Sequence, residues 1–139
     1  MKLMLDTNIV VDVITKRPGY EDSLEILKYC ELGMVYGFVS AVTVTDVMYV
    51  LRKHLAPSLV RDAVQTLLMV VDVANVLKSD ITHGFSSNMP DYEDAVQSSC
   101  AKRMKADYIV TRNTRDFQKS PVTAVLPEEA LEIIKESLK

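Results

Sequence analysis

Residues 1–8, Met-Lys-Leu-Met-Leu-Asp-Thr-Asn, constrain the fold more than any other stretch of the chain. Leu3, Met4 and Leu5 in succession suit a strand buried on both faces, as in a parallel sheet. The run stops at Asp6, after which Ile9, Val10, Val13 and Ile14 recur at helical spacing. Asp6 is therefore expected at the carboxyl end of a buried strand, just before a helix. Open α/β sheets bind ligands at that place. An aspartate or threonine there also serves as a helix cap, so these eight residues leave both readings open. Further acids arriving at the same edge would favour a site.

The rest of the chain alternates in the same way. A helix over about 7–15 gives way to the basic turn Lys16-Arg17-Pro18-Gly19, and a second helix runs from about 20 to 33. Residues 34–39 have strand character. Ser40 or Thr43 then caps a helix over 41–55, in which Thr43-x-x-Asp46 resembles a capping box with Asp in place of Glu. Pro57 opens a helix striped by Val60, Ala63, Val64, Leu67 and Leu68. A strand over 69–73 and a weaker helix over 75–85 lead to the loop 86–90. A helix from Asp91, a buried strand over 107–111, the polar loop 112–117, a short strand over 122–126 and a last helix from Pro127 complete the chain. Strands alternating with helices imply one αβα sandwich, an α/β fold with a central parallel sheet in a single domain over 1–139.

Composition narrows the class of protein. With 48% hydrophobic and 25% charged residues over 139 positions, the chain matches an ordinary globular domain large enough for a real core. No apolar run approaches the roughly 18 residues of a membrane span. The opening run is cut at Asp6, too early for a signal peptide, which makes the cytoplasm the expected location. Cys30 and Cys100 form no Cys-x-x-Cys and read as buried free thiols, and His54 and His83 are isolated. Zinc held by thiolate or imidazole is not expected. The formal net charge of −3 argues against a nucleic-acid binder that works by overall basicity. Acids that serve as metal ligands would reverse that balance, so net charge decides nothing.

Four places put carboxylates at strand ends or helix starts: Asp6, Asp46, the cluster Asp91, Glu93 and Asp94, and Asp116. Parallel strands end at one edge, which brings Asp6 and Asp116 together and Asp46 within reach. The helix bearing Asp94 feeds the 107–111 strand, and its start is expected at the opposite end of the sheet. Carboxylates gathered in a cleft repel one another and must protonate or bind cations. Oxygen-rich sites prefer Mg²⁺ or Mn²⁺, which polarise phosphoryl oxygens and acidify bound water. A cluster without His or Cys thus points to phosphodiester chemistry. Taken singly, each acid also reads as a helix cap favoured by the macrodipole.

The segments Leu5-Asp6-Thr7-Asn8, 40–46, Asp91-Tyr92-Glu93-Asp94-Ala95 and 109–117 resemble, in that order, the motifs of the PIN-domain family. The resemblance covers essentially the whole chain. It implies a compact αβα fold, a negatively charged pocket binding Mg²⁺ or Mn²⁺, and metal-dependent ribonuclease activity. It also implies that the third acid reaches the pocket after all. Asp6, Asp94 and Asp116 match the family's metal ligands, and Thr7 and Asn113 its supporting polar positions. Asp46 stands where the family usually carries Glu, one methylene longer, and is expected to assist catalysis through water or to fail as a direct ligand. Asp91 and Glu93 could be auxiliary ligands, although solvated helix-start acids are the plainer reading. A second departure, Gln97-Ser98-Ser99 in place of aliphatic residues, suggests no function.

For the RNA substrate, Arg112 and Arg115 suit phosphate positioning. Lys16, Arg17, Arg52 and Lys53 are secondary candidates that read equally well as solvated surface. Many PIN proteins of this length are toxins neutralised by an antitoxin encoded alongside, so an antitoxin partner and a homodimer are expected. The rival is a PIN-fold binding module for protein or RNA whose pocket does not turn over, supported by the shortened Asp46. A phosphatase or a flap-type DNA nuclease on a similar sheet is a further alternative, and the chain has no room for the DNA-binding extension of the latter.

Overall fold

The structure is a computed structural model that describes residues 1–139. Strand β1 (Lys2–Leu5) occupies the centre of a five-stranded, wholly parallel sheet. Its neighbours are β2 (Tyr36–Ser40) and β4 (Tyr108–Val110), with β3 (Asp72–Ala74) and β5 (Ala124–Val125) outside them. Alternation along β1 shows why it must be central. Leu3 and Leu5 enter one buried cluster and Met4 the other. Phe38 and Val39 of β2 divide in the same way, as do Ile109 and Val110 of β4. A strand apolar on both faces needs helices on both faces.

The larger cluster lies beneath α1 (Thr7–Thr15), α2 (Glu21–Glu31), α3 (Ala41–Leu51), α4 (Pro57–Leu68) and α7 (Pro127–Ser137). The smaller cluster is closed by α6 (Tyr92–Arg103), whose Ala95, Cys100 and Ala101 face the sheet. Helix α5 (Lys78–Ser86) packs against α6. Gly84 makes that approach possible, since a Cβ there would lie 2.7 Å from Tyr92 and 2.9 Å from Val96. No helix is long and apolar enough to cross a membrane.

The αβα sandwich with a central parallel sheet is as expected, but several boundaries differ. Residues 69–71 are not strand; their N–H groups close the carboxyl end of α4 through Thr66 and Leu67, and pairing starts at Asp72. The strand expected at 34–39 begins at Tyr36, and the helix expected at 41–55 ends at Leu51. The helix expected at 75–85 is shifted to Lys78–Ser86, and the strand expected at 122–126 is only Ala124–Val125. A 3₁₀ turn, Thr114–Phe117, interrupts the 112–117 loop. Ser40, not Thr43, caps α3: its Oγ accepts from Thr43 N at 3.2 Å, so Thr43 and Asp46 form no capping box. Cys30 and Cys100 are buried and unpaired, and burial pushes the Cys30 thiol up to about 11.

Strand order β3-β2-β1-β4-β5 fixes where a ligand can enter. The chain winds outward from β1 through β2 to β3, then crosses by α5 and α6 to the other side of β1. The order reverses between β1 and β4, and a crevice opens outside their carboxyl ends. Asp6 follows β1 and Thr111 follows β4.

Candidate active site

Asp6 stands where a helix cap and a pocket wall coincide. Its Oδ1 accepts from Thr7 N at 2.7 Å, capping α1, yet the side chain also faces the crevice. Burial raises its carboxyl above the usual range, against donations from the Thr111 hydroxyl, the Thr7 N–H and Gln97. Those distances are 2.8 Å from Thr111 Oγ1 and 3.2 Å from Gln97 Nε2, and Asn8 Nδ2 lies 3.2 Å from Oδ2. The acid is only 6% exposed and fully hydrogen-bonded.

An open pocket of about 410 Å³ lies beside it, lined by five carboxylates: Asp6, Asp91, Glu93, Asp94 and Asp116. Thr7, Asn8, Val11, Val50, Arg112 and Asn113 complete the wall. Asp94 therefore does not start at the far end of the sheet. A helix that feeds a parallel strand runs antiparallel to it, so the amino end of α6 lies at the carboxyl edge. Asp91 caps α6, its Oδ1 accepting from Asp94 N at 2.9 Å, and so places Asp94 at the pocket. Asp116 arrives on the 3₁₀ turn.

The crowding shows in the acidities. Partial burial, together with the charges of Asp6, Asp91 and Asp116, pushes Asp94 up to about 7. Glu93 is pushed up to about 8, chiefly by its hydrogen bond with Asp46, then by burial and by the charges of Asp46, Asp91 and Asp94. Asp46 thus meets Glu93 and does not line the pocket itself. Of the two acids, Glu93 is the one that lines the pocket.

Of the supporting residues, Thr7 bonds Thr43 through its hydroxyl at 3.1 Å, and Asn113 bonds Thr111 Oγ1 through its N–H at 3.1 Å. The two arginines separate. Arg112 lines the pocket, but its Nε is paired at 2.6 Å with the buried Asp12, which Arg17 approaches at 3.8 Å. Arg115 lies outside the acid pocket, beside Gln118 and Ser120. Arg52 and Lys53 lie over the exposed ring of Tyr49 at 4.0 and 5.5 Å, and Lys16 closes α1 in the left-handed region.

Asn8, Asp12, Thr43, Gln97 and Thr111 complete the surroundings of the site. No spacing marks Asp12 or Gln97 in the sequence, whereas Thr111 ends a recognisable strand. A larger hollow of about 540 Å³ between α5 and α6 is lined by serines, His83, Lys102 and the Asp80–Arg103 pair, with no gathering of acids.

The donor set, oxygen throughout, suits a hard divalent cation and offers nothing to zinc. No three acidic, His or Cys side chains stand close enough to hold one ion as they are arranged. The acids nevertheless face one open space, and the raised Asp94 carboxyl has no donor to offset its neighbours.

A doubly wound parallel sheet with an acid-lined crevice at its reversal point is the class that fold and site define. The chain belongs to the PIN domain family, whose model matches residues 2–115. Similar solved structures include VapBC2 from Rickettsia felis bound to a DNA fragment from its promoter (TM-score 0.73, 18% identity, 91% of this chain and 98% of that one). DNA-bound VapBC from Salmonella typhimurium is similar over 91% and 98% of the two chains (TM-score 0.71, 21% identity). VapC20 of Mycobacterium tuberculosis, a toxin that cleaves the sarcin-ricin loop, is similar over 77% and 86% (TM-score 0.61, 10% identity). Among curated proteins none matches.

Proposed function

We propose that this chain is a Mg²⁺- or Mn²⁺-dependent endoribonuclease and the toxin of a toxin–antitoxin pair. The observation that carries the reading is the pocket itself, where Asp6, Asp94 and Asp116 line one open space at the sheet's reversal point and burial, with the neighbouring charges, pushes Asp94 up to about 7. Membership of the PIN domain family supports it, as does the likeness to the fold of a toxin that cleaves the sarcin-ricin loop.

In this reading Asp6, Asp94 and Asp116 hold the cation. Bound there, it would polarise a phosphoryl oxygen and acidify the attacking water. The residues around it keep Asp6 in place: Thr7 N–H, Thr111 Oγ1, Gln97 and Asn8 all donate to its carboxylate. Glu93, whose carboxyl is pushed up to about 8 chiefly by its hydrogen bond with Asp46, carries less than its full charge near neutrality and burdens an incoming phosphate less. Arg112, anchored by Asp12, presents its remaining guanidinium donors at the pocket wall for a phosphate oxygen. Arg115, Arg52 and Lys53 lie outside the pocket and can meet only flanking phosphates.

The reading is tested by cleavage of a mixed RNA pool with Mn²⁺, with EDTA, and by the Asp6→Asn protein. Cleavage by wild type with Mn²⁺, lost in the other two, is the expected result. Cleavage that survives EDTA would overturn it. One observation favours the rival binding module: no three acids converge as the side chains stand. Calorimetry decides between the two, because a pocket that takes no Mn²⁺ at millimolar concentration is not this nuclease.

A further inference from the structure

Gln97 lies in the middle of α6 and is 2% exposed. A carboxamide in that position is costly unless both of its ends are bonded. Both are. Thr43 Oγ1 donates to Oε1 at 3.1 Å, and Nε2 donates to Asp6 Oδ1 at 3.2 Å. The amide cannot be reversed, since its oxygen would then face a carboxylate. Thr43 in turn accepts from Thr7 Oγ1 at 3.1 Å. A chain of hydrogen bonds thus leaves the start of α1, passes through the start of α3 to α6, and returns to the end of β1. An apolar side chain of similar volume would fill the same helix–sheet space, so packing does not account for the amide.

The lone pairs of Asp6 show what the amide does. Oδ1 accepts from Thr7 N and Gln97 Nε2, one a backbone group and the other fully buried. Oδ2 accepts from the buried Thr111 hydroxyl and from Asn8 Nδ2. Asn8 is only partly buried, lines the pocket, and its amide also reaches Thr111 Oγ1 at 3.3 Å. Of the three side-chain donors it alone lines the pocket, and moving it aside would also release the Arg112 N–H, which its Oδ1 accepts at 3.2 Å.

We infer that Gln97 is a positioning residue of the acid pocket: with Thr7 N–H it closes Oδ1 of Asp6, leaving Oδ2 on the Asn8 side for a divalent cation. The inference rests on the metal-binding reading above and goes beyond it. It gives a role to a residue outside the pocket lining and assigns different roles to the two oxygens of one carboxylate.

The test is Mn²⁺ calorimetry on the full chain, comparing wild type with Gln97→Leu and with Ser98→Ala, its equally buried neighbour. Losing a partner that orients a metal ligand lowers metal affinity or activity about 10–100-fold. Gln97→Leu should therefore weaken Mn²⁺ binding at least about tenfold and lower kcat for RNA with KM little changed, while Ser98→Ala matches wild type. Equal affinity in Gln97→Leu, or an equal loss in Ser98→Ala, would overturn the assignment. If Gln97→Leu melts without cooperativity, Thr43→Val, which frees the other end of the amide, carries the same expectation. A wild type that takes no Mn²⁺ overturns the metal reading and the role of Oδ2 with it. The positioning of Asp6 is then read separately, from the Gln97 side-chain amide protons by NMR. Slow exchange in wild type, lost in Asp6→Asn, supports it; exchange at the rate of a free amide overturns it.

Discussion

Asp94 is an acid that the fold disfavours in its charged form. Its carboxyl is held at about 7 by burial and by the charges of Asp6, Asp91 and Asp116, against an ordinary value of 3.8. Between these values the folded chain holds a proton that the unfolded chain has released, so stability falls as pH rises through that window. Glu93, at about 8, acts in the same direction. The metal-free protein should therefore melt higher at pH 5 than at pH 8 as far as these groups decide. Asp94→Asn should flatten that dependence and raise the melting temperature at pH 8. Mn²⁺ at pH 8 should stabilise wild type and lose its effect in the variant. Thermal melts at the two pH values check all three, and an Asn variant less stable than wild type at pH 8 without metal would contradict the account.

Helix α6 is the element on which the site depends, and it is held at both ends. At its amino end Asp91 caps it and presents Asp94. Near its carboxyl end Arg103 pairs with the buried Asp80 at 3.0 Å and meets the Asn75 carbonyl, tying α6 to α5. Between them Gly84 lets α5 approach, with Tyr92 and Val96 in the space a Cβ would need. Tyr92 is further fixed by its hydroxyl, which donates to the Ile81 carbonyl at 3.1 Å. Gly84→Ala must displace α5 or α6, and overpacking of this kind costs about 1–3 kcal/mol. The gain in helix propensity, about 1 kcal/mol, offsets only part of it. Urea unfolding should show a net loss of stability, together with weaker Mn²⁺ binding as Asp94 moves. A variant as stable as wild type would show that the helices are not held at this distance by Gly84.

At the scale of the whole molecule, the acid pocket occupies one edge of the sheet, and exposed apolar side chains lie elsewhere. Leu32, Met34 and Met69, for instance, precede β2 and β3 at the opposite edge. The toxin reading proposed above carries the expectation of an antitoxin partner and a second copy of the chain. Expression together with its chromosomal neighbours should bring down a short companion protein that suppresses RNA cleavage. Sedimentation of the chain alone should give the mass of two copies. A monomer that gains no inhibitor from any neighbour would remove the toxin–antitoxin part of the reading and leave the nuclease untouched.

Chain order alone disclosed the layers of this protein. A strand apolar on both sides, such as Leu3-Met4-Leu5, has few ways to be buried, and alternating helices supply the cover. It also drew attention to Asp6, Asp46, the cluster Asp91, Glu93 and Asp94, and Asp116 as acids at strand ends and helix starts, while the choice of Asp94 within its cluster came from the resemblance to the PIN-domain family. Element ends were less legible: residues 69–71 have strand composition, but the free carbonyls of α4 claim their N–H groups. The meeting of Asp94 with Asp6 needed the direction in which α6 crosses the sheet, and local spacing does not carry that direction. The roles of Gln97, Asp12 and Glu93 were hidden for the same reason. Each is defined by a partner on another element: Asp6 for Gln97, Arg112 for Asp12, Asp46 for Glu93. Periodicity records which face a residue turns inward, and only the packed elements decide what it meets there.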